Sequence, residues 1–150
     1  MNVTAYDLAQ RFVGIKEVAG VASNLQILAM LRLDGDWPAN DEVPWCSAFV
    51  NYVAWLLRLP RSKSLTARSW LAVGVPVPMN DAEPGFDVVV MSRGTGQPGA
   101  TNLDAPGHVG FFAGYDGNYV VVLGGNQGDS VSVALFAQSR ILGIRRLWEE

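Results

Sequence analysis

The chain has no second cysteine and no second histidine: Cys46 and His108 are the single copies among 150 residues. One thiol cannot form an internal disulfide, and one Cys with one His, outside any Cys/His cluster, cannot build a structural zinc site. Cys46 is therefore either buried filler or a reagent. No basic cluster exceeds Arg145-Arg146, and the formal charge is −3, so the chain lacks the electrostatic footprint of a nucleic-acid binder. The opening MNVTAYDLAQRFVGIKEVAG has no basic stretch followed by the roughly 7–15 apolar residues of a signal peptide. No segment approaches the roughly 20 apolar residues of a membrane span. These absences predict cytoplasmic synthesis without a signal peptide, no membrane span, and a separate export route for any action outside the cell.

What is present fits a folded enzyme or binding domain. Hydrophobic residues make up 49% and charged residues 17%, which argues against disorder. A chain of this length fits one domain, residues 1–150, able to bury about two thirds of its unfolded surface. Internal repeats and linkers are absent.

Helical periodicity fills the first half. Residues 4–14 read as a helix capped by Thr4, 23–32 as a second, and a third runs from near Trp45 to before Pro60 with Phe49, Val50, Val53, Leu56 and Leu57 as its apolar stripe. SLTARSWLAVG suggests a short fourth helix stopped by Gly74. After Pro84 the pattern becomes that of strands: FDVVVM, HVGFFAGY, NYVVVLGG, a weaker DSVSVALF, and RILGIRRL. The Gly/Pro-dense SRGTGQPGATNLDAPG between the first two is long enough to suggest a functional loop. Helices followed by an antiparallel meander predict an α+β domain.

Cys46 opens the third helix, where unpaired amides favour a thiolate and can also stabilise an oxyanion. His108 shares one strand face with Gly110, which leaves room beside the imidazole. In the hairpin that follows, a three-residue loop at Asp116, Gly117 and Asn118 sets Asn126 opposite His108. A two-residue turn at Asp116-Gly117 sets Gly125 there instead and requires a bulge to bring Asn126 round. Either way a carboxamide lies near the ring, able to fix its tautomer as in thiol proteases.

PWCSAFVNYV, GHVGFF and VLGGNQGDSV resemble the cysteine, histidine-dependent amidohydrolase/peptidase (CHAP) group and the related NlpC-like enzymes. GIKEVAGVASNLQIL and SLTARSWLAVG resemble the frame of a short single-domain subfamily from phage and bacterial genomes. The resemblance implies a papain-like fold and a hydrolase cutting an amide of the peptidoglycan stem peptide. The nucleophile would be Cys46, the general base and then acid His108, and the orienting residue Asn126. The enzyme would be an endopeptidase or an N-acetylmuramoyl-L-alanine amidase. Where many CHAP members carry Glu two residues before that Asn, this chain has Gly124. No cofactor is implied. The expected protein is an endolysin-like monomer, reaching the wall by holin-type release or specialised secretion. A non-catalytic wall-binding or virion structural module of the same fold, or a Cys-dependent acyltransferase, are the alternatives.

Among the aromatics, Trp45 and Trp37 are expected to wall the substrate cleft. Asp34, Asp36, Asn40 and Asp41 match no EF-hand spacing and are not expected to hold calcium. Glu17 reads as a helix-end or loop-pairing residue rather than half of a glycosidase carboxylate pair, and Asp87 as a structural residue at a strand end.

Overall fold

A computed structural model describes residues 3–17, 24–34, 45–93 and 107–148. Three helices come first. In α1 (Ala5–Ala9) the Thr4 hydroxyl accepts from the Asp7 amide while the Asp7 carboxylate accepts from the Thr4 amide, a reciprocal cap. The expected helix over 4–14 continues only as a 3₁₀ turn, Gln10–Phe12, and Gly14, at φ 102°, carries the chain away. The α2 helix (Leu25–Leu31) starts at Asn24, whose side chain accepts from the Gln26 and Ile27 amides.

The third helix, α3 (Cys46–Leu56), buries Phe49, Val50 and Val53 as its stripe requires, whereas Leu56 is exposed. Its opposite side is held by polar contacts. The Ser47 hydroxyl donates to Ser64 O at 2.6 Å and accepts from Trp70 Nε1 at 2.9 Å, and Asn51 Nδ2 donates to Ser64 O. These bonds satisfy groups that would otherwise be desolvated and unpaired. The SLTARSW stretch thus works as a cradle for α3. It forms a 3₁₀ helix, Ala67–Ala72, instead of the expected α-helix.

Among the described residues six strands follow: β1 (Val75–Pro76), β2 (Asp87–Ser92), β3 (Gly107–Asp116), β4 (Tyr119–Gly124), β5 (Ser132–Ala137) and β6 (Ile141–Arg146). All pairings are antiparallel, in the order β1-β6-β2-β3-β4-β5. Alternation splits the side chains between two faces. Val88, Val90, Val109, Phe111 and Leu123 join the helices in one core. Val89, Met91, Phe112, Val120, Val122 and Ile144 form a second on the other face. At the end of β2, Asp87 is buried and bound by Arg146 through Nε at 2.6 Å and Nη2 at 2.9 Å, a structural role as expected. The result is the predicted α+β arrangement, helices first and packed on an antiparallel sheet. Among the described residues no helix is long and apolar enough to cross a membrane.

The β3–β4 hairpin turns at Gly117-Asn118, since Asp116 pairs with Tyr119. That is neither of the expected turns. A register shift between Phe112 and Gly114 then pairs Phe111 with Leu123, and this register, extended, sets position 126 opposite 108. The ladder itself stops at Gly124. Beyond it, α3 meets the sheet at Gly125, where a Cβ would come within 2.7 Å of the Trp45 ring and 2.9 Å of Phe49 Cβ.

Gly125→Ala should therefore cost about 1–3 kcal/mol through overpacking, read as a lowered midpoint in urea. An unchanged midpoint would mean that α3 is not seated on this backbone.

Candidate active site

Cys46 is the first residue of α3 and is 3% exposed. Among the described residues no side chain caps this helix end. The polar neighbours of the thiol are the amides of Val109 and Ser47 and the guanidinium of Arg93. Burial pushes the thiol up from its ordinary pKa, and those three groups only partly pull it back. The acidified thiol expected from the helix terminus is not what this arrangement produces, because desolvation of a nearly enclosed sulfur outweighs the amide dipoles.

His108 lies one residue from the start of β3 and is 5% exposed. Its ring tilts against Phe136, with centroids 5.1 Å apart, so the imidazole sits on the sheet face away from the helices. Its pKa is lowered to about 4, first by burial, against a raising contribution from Gln127, with Arg93 and Arg140 lowering it further. At neutral pH both the thiol and the imidazole are uncharged. They flank one peptide unit, 108–109, and among the described residues no hydrogen bond joins them directly.

The ring's orienting partner is Gln127, not Asn126. Gln127 Oε1 lies 2.9 Å from His108 Nε2. The amide nitrogen of the same side chain donates to Val122 O at 3.1 Å and Ser132 O at 2.8 Å. Both amide hydrogens are thus spent on carbonyls, and the oxygen must be the end that faces the ring. Since that oxygen can only accept, Nε2 carries the proton and Nδ1 carries the lone pair. The tautomer is fixed by two backbone carbonyls acting through one carboxamide.

Local backbone explains the exchange of neighbours. Asn126 adopts φ 58°, a left-handed conformation that Asn tolerates. This turns the chain out of the β4 path, leaving Asn126 at the rim of the cleft and carrying Gln127 inward. Gln127 is then pinned: its amide donates to Ser130 O, and its carbonyl accepts from the Ser130 and Ser132 hydroxyls. Gly124, where CHAP proteins often have Glu, must lack a side chain, since a Cβ would stand 2.6 Å from Gln127 Oε1.

The GIKE segment closes this loop from below. Glu17 N donates to Asp129 O, Val131 N to Ile15 O, and Gly14 N to Val131 O, all at 2.8–2.9 Å. Glu17 also accepts from Trp45 Nε1, so its loop-pairing role extends to the helix that carries the thiol. Trp45 is fully buried. It is core rather than the expected cleft wall, because its ring lies over Gly125. Trp37, the other expected cleft residue, lies outside the described residues, as do Asp36, Asn40 and Asp41. Asp34 is paired with Arg61 at 2.7 Å. Among the described residues no cluster of His, Cys, Asp and Glu could hold a metal.

The cleft beside His108, of about 490 Å³, is lined by Gln127, Asn126, Phe136, Ser132, Arg93 and Arg140 among others. The two arginines were not anticipated. Arg93 follows β2 and Arg140 precedes β6, and only the sheet topology brings them to one imidazole.

No protein-family model matches the sequence, and the search of curated proteins gives no match. Solved structures do match the fold. NlpC1 and NlpC2 from Trichomonas vaginalis superpose with TM-scores of 0.58 and 0.57, at 19% and 18% identity over 97% of this chain. A lipoprotein-like NLP/P60 family protein from Staphylococcus aureus superposes at 0.53, with 17% identity over 98%. The chain spans less than half the length of each of these, 41–46%. Its fold is the α+β fold of these NlpC/P60 proteins, helices packed on an antiparallel sheet.

A histidine kept neutral to about pH 4, against about 6.5 when unfolded, makes stability pH-dependent. Between those values the unfolded chain takes up a proton that the native chain does not. The contribution is complete above pH 6.5 and is lost as pH falls toward 4, by about 3 kcal/mol in all. Urea unfolding at pH 7 and pH 4.5 should show this slope in the native sequence and a flatter one in His108→Gln. Equal slopes would contradict a buried neutral imidazole.

Proposed function

We propose that the protein is a cysteine peptidase or amidase that cuts an amide bond in the stem peptide of bacterial peptidoglycan. The observation that carries this reading is the tautomer of His108. With Nε2–H given to Gln127, Nδ1 is the basic nitrogen, and it belongs to the residue adjoining the amide that the thiol touches. A thiol beside such a base is the nucleophile and base pair of acyl transfer.

In the proposed reaction Nδ1 removes the Cys46 proton as sulfur attacks the amide carbon. The tetrahedral oxyanion collapses to a thioacyl-enzyme, and the imidazolium returns the proton to the departing amine. Water, deprotonated by the same nitrogen, then attacks the thioester and releases the acid and the thiol. The reaction requires sulfur and Nδ1 to approach one another from the two sides of the 108–109 peptide unit, a contact the ligand-free site does not make. Catalytic hydrogen bonds are commonly long in ligand-free sites and tighten with substrate. At neutral pH the thiol already carries the proton and the imidazole is free to accept it, and the proton moves with the attack. Gln127 holds the ring throughout and stabilises the imidazolium. We propose further that the chain serves as a lysis enzyme, delivered to the wall by holin-type release or specialised secretion, and that it cuts within the peptide.

Cys46→Ala should lower release of soluble products from purified peptidoglycan by ~10³-fold or more with the fold retained. Mass spectrometry of the digest should show shortened stems on intact glycan. Whole stems released from the glycan would instead make it an N-acetylmuramoyl-L-alanine amidase, cleaved sugars would overturn the thiol assignment, and full activity in folded Cys46→Ala would overturn the mechanism.

Gln127→Ala should lower kcat by about 10–10²-fold, by freeing the tautomer, whereas Asn126→Gly should change it less than about threefold. The reverse order of severity would return the orienting role to Asn126.

A further inference from the structure

Arg93 and Arg140 face the same cleft as His108. Each is held by a backbone carbonyl. Arg93 Nε donates to Gly107 O at 2.7 Å, and Arg140 donates to Ser92 O through Nε at 2.9 Å and Nη2 at 2.6 Å. Arg140 also lies over the Phe136 ring, 5.3 Å from its centroid, and that ring in turn packs on His108. Both guanidinium planes are therefore set in advance; Arg93 also reaches the Cys46 thiol, and each group keeps further N–H donors for a ligand.

Among the described residues neither arginine meets a carboxylate and no acidic side chain lines the cleft. Arg61 and Arg146 behave otherwise, each pairing with carboxylates of this chain. Two preset cations beside an uncharged imidazole, in a cleft with Phe136 as its apolar wall, form a receptor for an anion with a planar two-oxygen face.

We propose that Arg93 and Arg140 form a carboxylate-binding subsite next to His108, selecting peptides that carry a free carboxylate close to the bond presented to Cys46. The reference to a scissile bond rests on the peptidase reading; the subsite itself does not. A carboxylate seated there would offset the two cations that lower the basicity of His108, so a ligand with the right charge would also improve the base. A stem peptide offers two such groups, the α-carboxylate of a γ-linked glutamate and the C-terminal carboxylate.

The test is binding to the full chain carrying Cys46→Ala, measured by calorimetry with three synthetic peptides. These are L-Ala-γ-D-Glu-L-Lys, the same peptide amidated at the glutamate α-carboxylate, and the same peptide amidated at its C-terminus. The unmodified peptide should bind at least ~10-fold more tightly than one of the amides, and the amide that loses affinity names the carboxylate. Adding Arg93→Gln or Arg140→Gln should abolish the difference, while Arg140→Lys should retain part of it. If Arg140→Gln disturbs the fold, Arg93→Gln carries the comparison. Equal binding of all three peptides, no binding, or a preference that survives both substitutions would overturn the subsite. Loss of the peptidase reading looks different: the native sequence would turn over none of the peptides while the carboxylate preference remained.

Discussion

The approach of α3 to the sheet at Gly125 is the constraint on which the site depends. A helix can touch strand backbone only where a side chain is missing, and here the Trp45 ring and Phe49 occupy the space a Cβ would take. The ladder stops at Gly124, and the first turn of the helix packs on the next residue, Gly125. That puts the thiol on the Val109 amide. The seat is fixed from behind by Ser47, Asn51 and Trp70. It is fixed from below by Glu17, which ties the Trp45 indole to the loop holding Gln127. Cys46 and Gln127 are thus positioned by one connected set of contacts, so disturbing one displaces the other.

Electrostatically the site rests in its uncharged form. Burial raises the thiol and lowers the imidazole, so a standing thiolate–imidazolium pair is disfavoured by the same enclosure that excludes water. A neutral pair protects the sulfur from adventitious alkylation and oxidation, since the thiolate is the reactive form. It also leaves the positive field of Arg93 and Arg140 as the strongest local charge, which only an anionic group can answer.

Much of this was readable in the sequence because it follows local periodicity. Cys46 at a helix start, His108 in a strand, and the hairpin behind it all come from patterns of 3.6 and 2 residues. Of the two expected registers, the Phe111–Leu123 pair follows the one that would set 126 opposite 108, although the ladder ends before those positions and the turn and the bulge at Ala113 were not foreseen. The orienting residue was misread because register specifies which Cα is opposite, not which way the next peptide turns. A left-handed Asn126 exchanges it for its neighbour. The signal was there in GGNQGD, where Asn, Gly and Asp are the residues that tolerate positive φ. Trp45 was misplaced for the converse reason: adjacency to the nucleophile in sequence says nothing about facing the cleft. Arg93 and Arg140 were out of reach because strands distant in the chain bring them together, and SLTARSW became a 3₁₀ cradle because its polar contacts to α3 override helical propensity.

The strand order carries a consequence for biosynthesis. β6 is made last of the six, yet it lies between β1 and β2. Until it emerges, about 50 residues and roughly 3–10 s of translation after β2, the DVVVM edge of β2 has no neighbour on that side. A strand so apolar and unpaired is a template for association with other chains. The β2 edge is thus open to association until β6 pairs with it, and loss of β6 should be felt as insolubility rather than as a slightly loosened fold.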